Sequence, residues 1–168
     1  MRSVYFDSSV FISIFMNDSS ARKIKELLIE LKREKIRVYT SIIAVQEVSV
    51  MSYRKGTVAQ DNYSKIDKLA RIEGITKDIA LTAAKYEAHI IDQTRVKEQQ
   101  DNKRRKWDCF HIATAVALGC SVIYTADEGQ HKRKEQFGLT GLTFLHPVPS
   151  KPSLFTLPTP DDSTPTIQ

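Results

Sequence analysis

Proline is absent from the first 146 residues of this 168-residue chain, and all six prolines fall in the last 22. Proline fixes φ and removes a backbone donor, so its absence leaves residues 1–146 free to form regular helices and strands. Residues 147–168, "PVPSKPSLFTLPTPDDSTPTIQ", read instead as a proline-rich extended or disordered tail, because Ser/Thr/Pro mixtures bury too little apolar surface to offset ordering entropy. Cysteine is nearly absent too. Cys109 and Cys120 are the only two, which excludes a disulfide scaffold, and neither has a His or Cys at zinc spacing, so both read as small buried hydrophobes. No apolar run approaches the roughly 18 residues of a membrane span, and the N-terminus lacks the charged and apolar regions of a secretion signal. The expectation is a cytoplasmic protein with no membrane contact. Glycine-rich turns are missing after the first apolar run, which argues against a dinucleotide site.

What is present fits one globular domain. The chain is 41% hydrophobic and 27% charged, ordinary values for a soluble fold. The formal net charge is +5, a moderate excess compatible with a polyanionic partner. Its distribution says more: "RVKEQQDNKRRK", residues 95–106, carries six basic residues against two acidic ones, and "HKRKEQ" follows at 131–136. Lys103, Arg104, Arg105, Lys106, Lys132 and Arg133 are therefore candidates for gripping a phosphate backbone.

Short β-type runs alternate with longer helical patterns, the signature of α/β architecture with a mostly parallel sheet. "SVYF" at 3–6 reads as the first strand and residues 9–16 as a helix. In "SARKIKELLIELKREK", Ile24, Leu27, Leu28 and Leu31 recur at helical spacing opposite charges. "IRVYTS" is the second strand. "IIAVQEVSVMSYRKG" reads as a helix ending near Gly56, with its β-branched content favouring strand as the competitor. Helices follow at 57–70 and 76–100, with "IEGI" a short strand between them. A helix at 105–118 closes at Gly119, "SVIYT" at 121–125 is a buried strand, "EGQHKRKEQFG" a short basic helix, and "LTFL" at 142–145 the last strand.

Ligands of parallel α/β sheets sit at the carboxyl ends of the strands. Asp7 follows the first strand directly, Asp127 follows "SVIYT" by two residues, Glu47 lies about a helical turn past the second strand, and Asp108 falls in the first turn of its helix. Each acid has a plain structural reading. Asp7 and Asp127 can cap helices, Asp108 can favour a helix dipole, and Glu47 can be a solvated charge. Yet Asp108 lies among Trp107, Cys109, Phe110 and Ile112, and Glu47 among Val45, Val48 and Val50. Carboxylates drawn together in apolar surroundings repel, and a divalent cation with hard oxygen ligands is the usual remedy. His111 could share a face with Asp108, but a His between Phe110 and Ile112 reads better as packed and hydrogen-bonded. Glu128 is an auxiliary candidate. Trp107 and Tyr124 are read as packing rather than base-stacking.

"YFDSSVFI", "TSIIAVQEV", "KWDCFHIATA" and "IYTADEG", in that order, resemble the motifs of PIN-domain ribonucleases, including VapC-type toxins. The resemblance runs from residue 2 to about 145. It implies a PIN-like three-layer α/β/α fold with a central parallel five-stranded sheet, and a nuclease domain at 1–146 followed by the tail at 147–168. It implies an acidic cluster holding Mg²⁺ or Mn²⁺, and hydrolysis of RNA phosphodiester bonds by metal-activated water. By the same resemblance Asp7, Glu47, Asp108 and Asp127 are the catalytic and metal-binding acids, and Ser8 and Thr125 support them. A toxin role would bring an antitoxin protein and a homodimer as partners besides the RNA substrate. The alternative is a non-catalytic RNA- or protein-binding module on the same fold. An Asp-x-Asp phosphatase is disfavoured, because Ser9 stands where its second acid belongs.

Overall fold

The alternation of β-branched runs and amphipathic segments produces twelve elements among the described residues. The computed structural model describes residues 2–56, 58–93, 102–133, 139 and 141–150, with residues 92, 93, 102–105, 132 and 133 described in their backbone alone. In chain order the elements are β1 (Ser3–Phe6), α1 (Ser8–Met16), α2 (Ala21–Arg33), β2 (Arg37–Ser41), α3 (Ile42–Arg54), α4 (Asp61–Asp67), β3 (Arg71–Glu73), α5 (Lys77–Gln93), α6 (Asn102–Ala117), β4 (Val122–Tyr124), α7 (Glu128–Arg133) and β5 (Thr143–Leu145). The five strands make one sheet in the order β3-β2-β1-β4-β5, and every neighbouring pair is parallel.

Side chains on a strand alternate between its faces, and β1 divides accordingly. Val4 and Phe6 join a core with Val10 and Phe11 of α1, Ile24 and Leu27 of α2, and Val48 of α3. Tyr5 points the other way, into a core with Ile79 and Ala83 of α5 and Ile112 and Ala115 of α6. Helices thus cover both faces, giving the expected α/β/α layers around a five-stranded parallel sheet. None of the described helices is long and apolar enough to cross a membrane.

Several boundaries differ from the sequence reading. Helix α6 begins at Asn102, so Asp108 stands in its second turn and the first-turn dipole reading fails for it. Helix α4 is shorter than the expected 57–70, and α5 is described through Gln93, the remainder of the expected 76–100 lying outside the described residues. Despite its β-branched content, α3 is helical, because burial of Ala44 and Val48 against the sheet outweighs a weak intrinsic preference. Past β5, Pro147 is buried and the Ser150 amide donates to Glu30 of α2 at 3.0 Å. The chain therefore stays on the domain through residue 150; residues 151–168 of the expected tail lie outside the described ones.

Candidate metal centre

Strand β1 lies between β2 and β4, so the residues that leave these three strands share one edge. The pairing of Phe6 with Tyr124 sets Asp7 beside Thr125. The Asp7 amide donates to the Tyr124 carbonyl at 3.1 Å, extending the ladder one step past the strands. Asp7 is 2% exposed and caps α1 through the Ser9 amide. Its Oδ2 accepts from the Ser9 hydroxyl at 2.8 Å and from the Thr125 hydroxyl at 3.1 Å. Its Oδ1 is buried without a hydrogen-bond partner. A buried carboxylate oxygen left in that state is costly, and it faces the other groups of the site.

Those groups come from α3 and α6. His111, 1% exposed, sets its Nε2 at 2.8 Å from Glu47 Oε2 and 3.4 Å from Asp7 Oδ1, the second distance being ion-pair range without a hydrogen bond. On its other side Nδ1 meets the Tyr5 hydroxyl at 2.7 Å and Ser41 Oγ at 3.4 Å. Burial acts to lower the His111 pKa, but the Tyr5 oxygen, Asp7 and Glu47 outweigh it and hold the ring well above the usual imidazole value. Tyr5 is itself pushed up, burial being the main cause. Glu47 is half-buried, its side chain 26% exposed, so the group opens to solvent on the α3 side. One ligand atom each from Asp7, Glu47 and His111 lies within 4.8 Å of the others.

The remaining expected residues stand around this group. Asp108 is buried on the face of α6 that carries His111, and its Oδ1 accepts from Gln130 Nε2 at 3.1 Å. Asp127 caps α7: its Oδ1 accepts from the Gly129 amide at 2.7 Å, while its own amide donates to Thr125 Oγ1 at 3.0 Å. Asp108 and Asp127 are not part of the three-residue group, which contains Asp7 and Glu47 alone of the four acids. The Thr125 hydroxyl touches both Asp7 and Asp127. The hydroxyl gripping Asp7 is that of Ser9, not Ser8; Ser9 also accepts from the Ala126 amide at 2.9 Å, tying α1 to the loop after β4. Lys106 is exposed, whereas the side chains of Lys103, Arg104, Arg105, Lys132 and Arg133 lie outside the described residues. Glu128 is exposed and pairs with His146 at 3.7 Å, away from the group.

His111 is packed and hydrogen-bonded, as its place between Phe110 and Ile112 indicated; its approach to Asp7 depends on how α6 packs on the sheet, which no local spacing encodes.

Residues 4–136 match the PIN domain. The chain belongs to the PIN domain family. Solved structures share the fold of this PIN domain at low sequence identity. VapC20 of Mycobacterium tuberculosis, a Sarcin-Ricin loop cleaving toxin, is 17% identical with a TM-score of 0.56, covering 77% of this chain and 93% of its own. VapBC-1 of nontypeable Haemophilus influenzae is 15% identical with a TM-score of 0.58, at 86% and 98% coverage. VapBC2 of Rickettsia felis, bound to a DNA fragment from its promoter, is 13% identical with a TM-score of 0.59, again at 86% and 98%. No curated protein sequence matches this PIN domain.

Proposed function

We propose that this PIN domain is a Mg²⁺- or Mn²⁺-dependent endoribonuclease, acting as the toxin of a toxin and antitoxin pair. The observation that carries the reading is the convergence of Asp7, Glu47 and His111 at the carboxyl edge of the sheet, with Asp7 Oδ1 buried and unpartnered. Carboxylates drawn together there fit a hard divalent ion such as Mg²⁺ or Mn²⁺, with His111 hydrogen-bonded to Glu47 beside them. Asp7, Glu47, Asp108 and Asp127 would hold the ion. Such an ion, when bound, supplies charge neutralisation at a phosphodiester and lowers the pKa of water for hydrolysis.

The chain's own residues do the rest. Ser9 and Thr125 occupy Asp7 Oδ2 and so aim Oδ1 at the site. His111, anchored by Tyr5, donates a hydrogen bond from Nε2–H to Glu47 Oε2 and so restrains that carboxylate. The basic residues of 95–106 and 131–136 would hold the RNA backbone without reading sequence. The toxin role draws support from the fold shared with VapC20 and with the VapBC proteins. An antitoxin protein, a second copy of this chain and a cytoplasmic setting belong to the same reading.

Incubating the purified protein with mixed RNA, with Mn²⁺ or with EDTA, tests it. Cleavage should require the ion, and Asp7→Asn or Asp108→Asn should abolish it in folded protein. Binding of RNA without chelator-sensitive cleavage would instead establish a non-catalytic binding module.

A further inference from the structure

Helix α7 delivers a buried amide to the acids. Gln130 is 2% exposed; its Nε2 donates to Asp108 Oδ1 at 3.1 Å, and its Oε1 is buried with no hydrogen-bond partner. The opposite orientation would press an amide oxygen against a carboxylate oxygen, so the chemistry fixes which end faces Asp108. As core filling, glutamine is a poor choice here. A methionine of similar shape would occupy the space without the unpaired Oε1, and the one thing glutamine adds over it is the donor to Asp108 Oδ1. A residue that costs stability where an apolar one would not is the pattern of a functional site.

We infer that Gln130 is a positioning residue: it holds the carboxylate of Asp108 in the orientation required for a divalent cation. Asp127 places it there. By capping α7 through the Gly129 amide, and by accepting the Gln130 amide on its own carbonyl at 3.1 Å, Asp127 sets where that helix starts. The loop after β4 thus contributes to the site twice, through its own acid and through the amide three residues later that restrains the acid on α6. The inference rests on the reading of Asp108 as a metal-site acid. Outer partners of ligand side chains commonly matter about 10- to 100-fold in metal affinity.

The test compares full-length wild type with Gln130→Met. In EDTA, loss of the donor to Asp108 and removal of the unpaired Oε1 oppose each other, so the variant should melt close to wild type. Its Mn²⁺ dissociation constant, measured by titration calorimetry, should be weaker by about tenfold or more. A purely structural Gln130 would show the reverse, a lower melting temperature with unchanged Mn²⁺ affinity in the folded variant, and would overturn the inference. Should the variant fail to fold, the Gln130 side-chain amide of metal-free wild type decides by nuclear magnetic resonance. Its protons should exchange slowly with solvent and lose that protection in Asp108→Ala; protection unchanged by Asp108→Ala overturns the inference. Wild type that binds no Mn²⁺ overturns the metal-site reading and this inference together. Wild type that binds while folded Gln130→Met binds equally well overturns this inference alone.

Discussion

Thr125 has no exposed surface and uses its hydroxyl twice, donating to Asp7 Oδ2 and accepting from the Asp127 amide. Thr125→Val keeps the shape but strips both bonds, leaving a buried amide and a carboxylate oxygen short of a partner. The expected loss is about 1–3 kcal/mol, read as a lower urea midpoint; an unchanged midpoint would show that water replaces the hydroxyl freely. His111 makes a second case at this scale. Its pKa is raised in the folded protein because Tyr5, Asp7 and Glu47 outweigh the effect of burial. A group whose folded pKa is raised contributes stability fully present below its unfolded pKa, about 6.5, and lost as pH rises through the folded value. In EDTA-treated protein the urea midpoint should therefore fall as pH is raised above that point. His111→Gln should flatten the decline, and equal slopes in the two proteins would refute the assignment.

Elements were more legible than the side chains they carry. The short β-type run "SVYF" and the 3.6-residue stripe in α2 are local signals, so both were readable without tertiary knowledge. Helix α3 was harder, since its β-branched residues prefer strands in isolation and only packing against the sheet decides for helix. The choice between Ser8 and Ser9 was not readable at all: it depends on how α1 leaves β1, which Asp7 sets by capping the helix at the Ser9 amide. Gly119 was readable and carries a prediction. It ends α6 at φ +63° and turns the chain into β4, with open space where a Cβ would stand. Gly119→Ala should therefore cost only the backbone term, roughly 1–2 kcal/mol. A drop in the denaturation midpoint of that size, without change in metal binding, is the expected result. A much larger loss would mean that the turn itself is packed more tightly than its surroundings indicate.

At the scale of the whole molecule, Asp7, Glu47 and His111 are far apart in sequence and meet only once the sheet and the helices packed on it have formed. The unfolded chain therefore has no preformed site, and an ion that binds the native state alone must stabilise the entire domain by mass action. The sequence could name the acids but not their distances, because convergence depends on strand order, which no local period encodes. At an ion concentration 100 times the dissociation constant the gain is about 2.7 kcal/mol. Mn²⁺ added to EDTA-stripped protein should raise the thermal midpoint in a saturable way, and the same ionic strength of NaCl should not, since screening acts on surface charges without a saturation point. Asp7→Asn separates the two explanations further. It removes the negative charge that stands 3.4 Å from His111 and favours its protonated ring, so the variant should be somewhat less stable than wild type in EDTA yet gain little from Mn²⁺. A variant that retains the full Mn²⁺ shift would place the ion elsewhere on the protein and detach Asp7 from any metal chemistry.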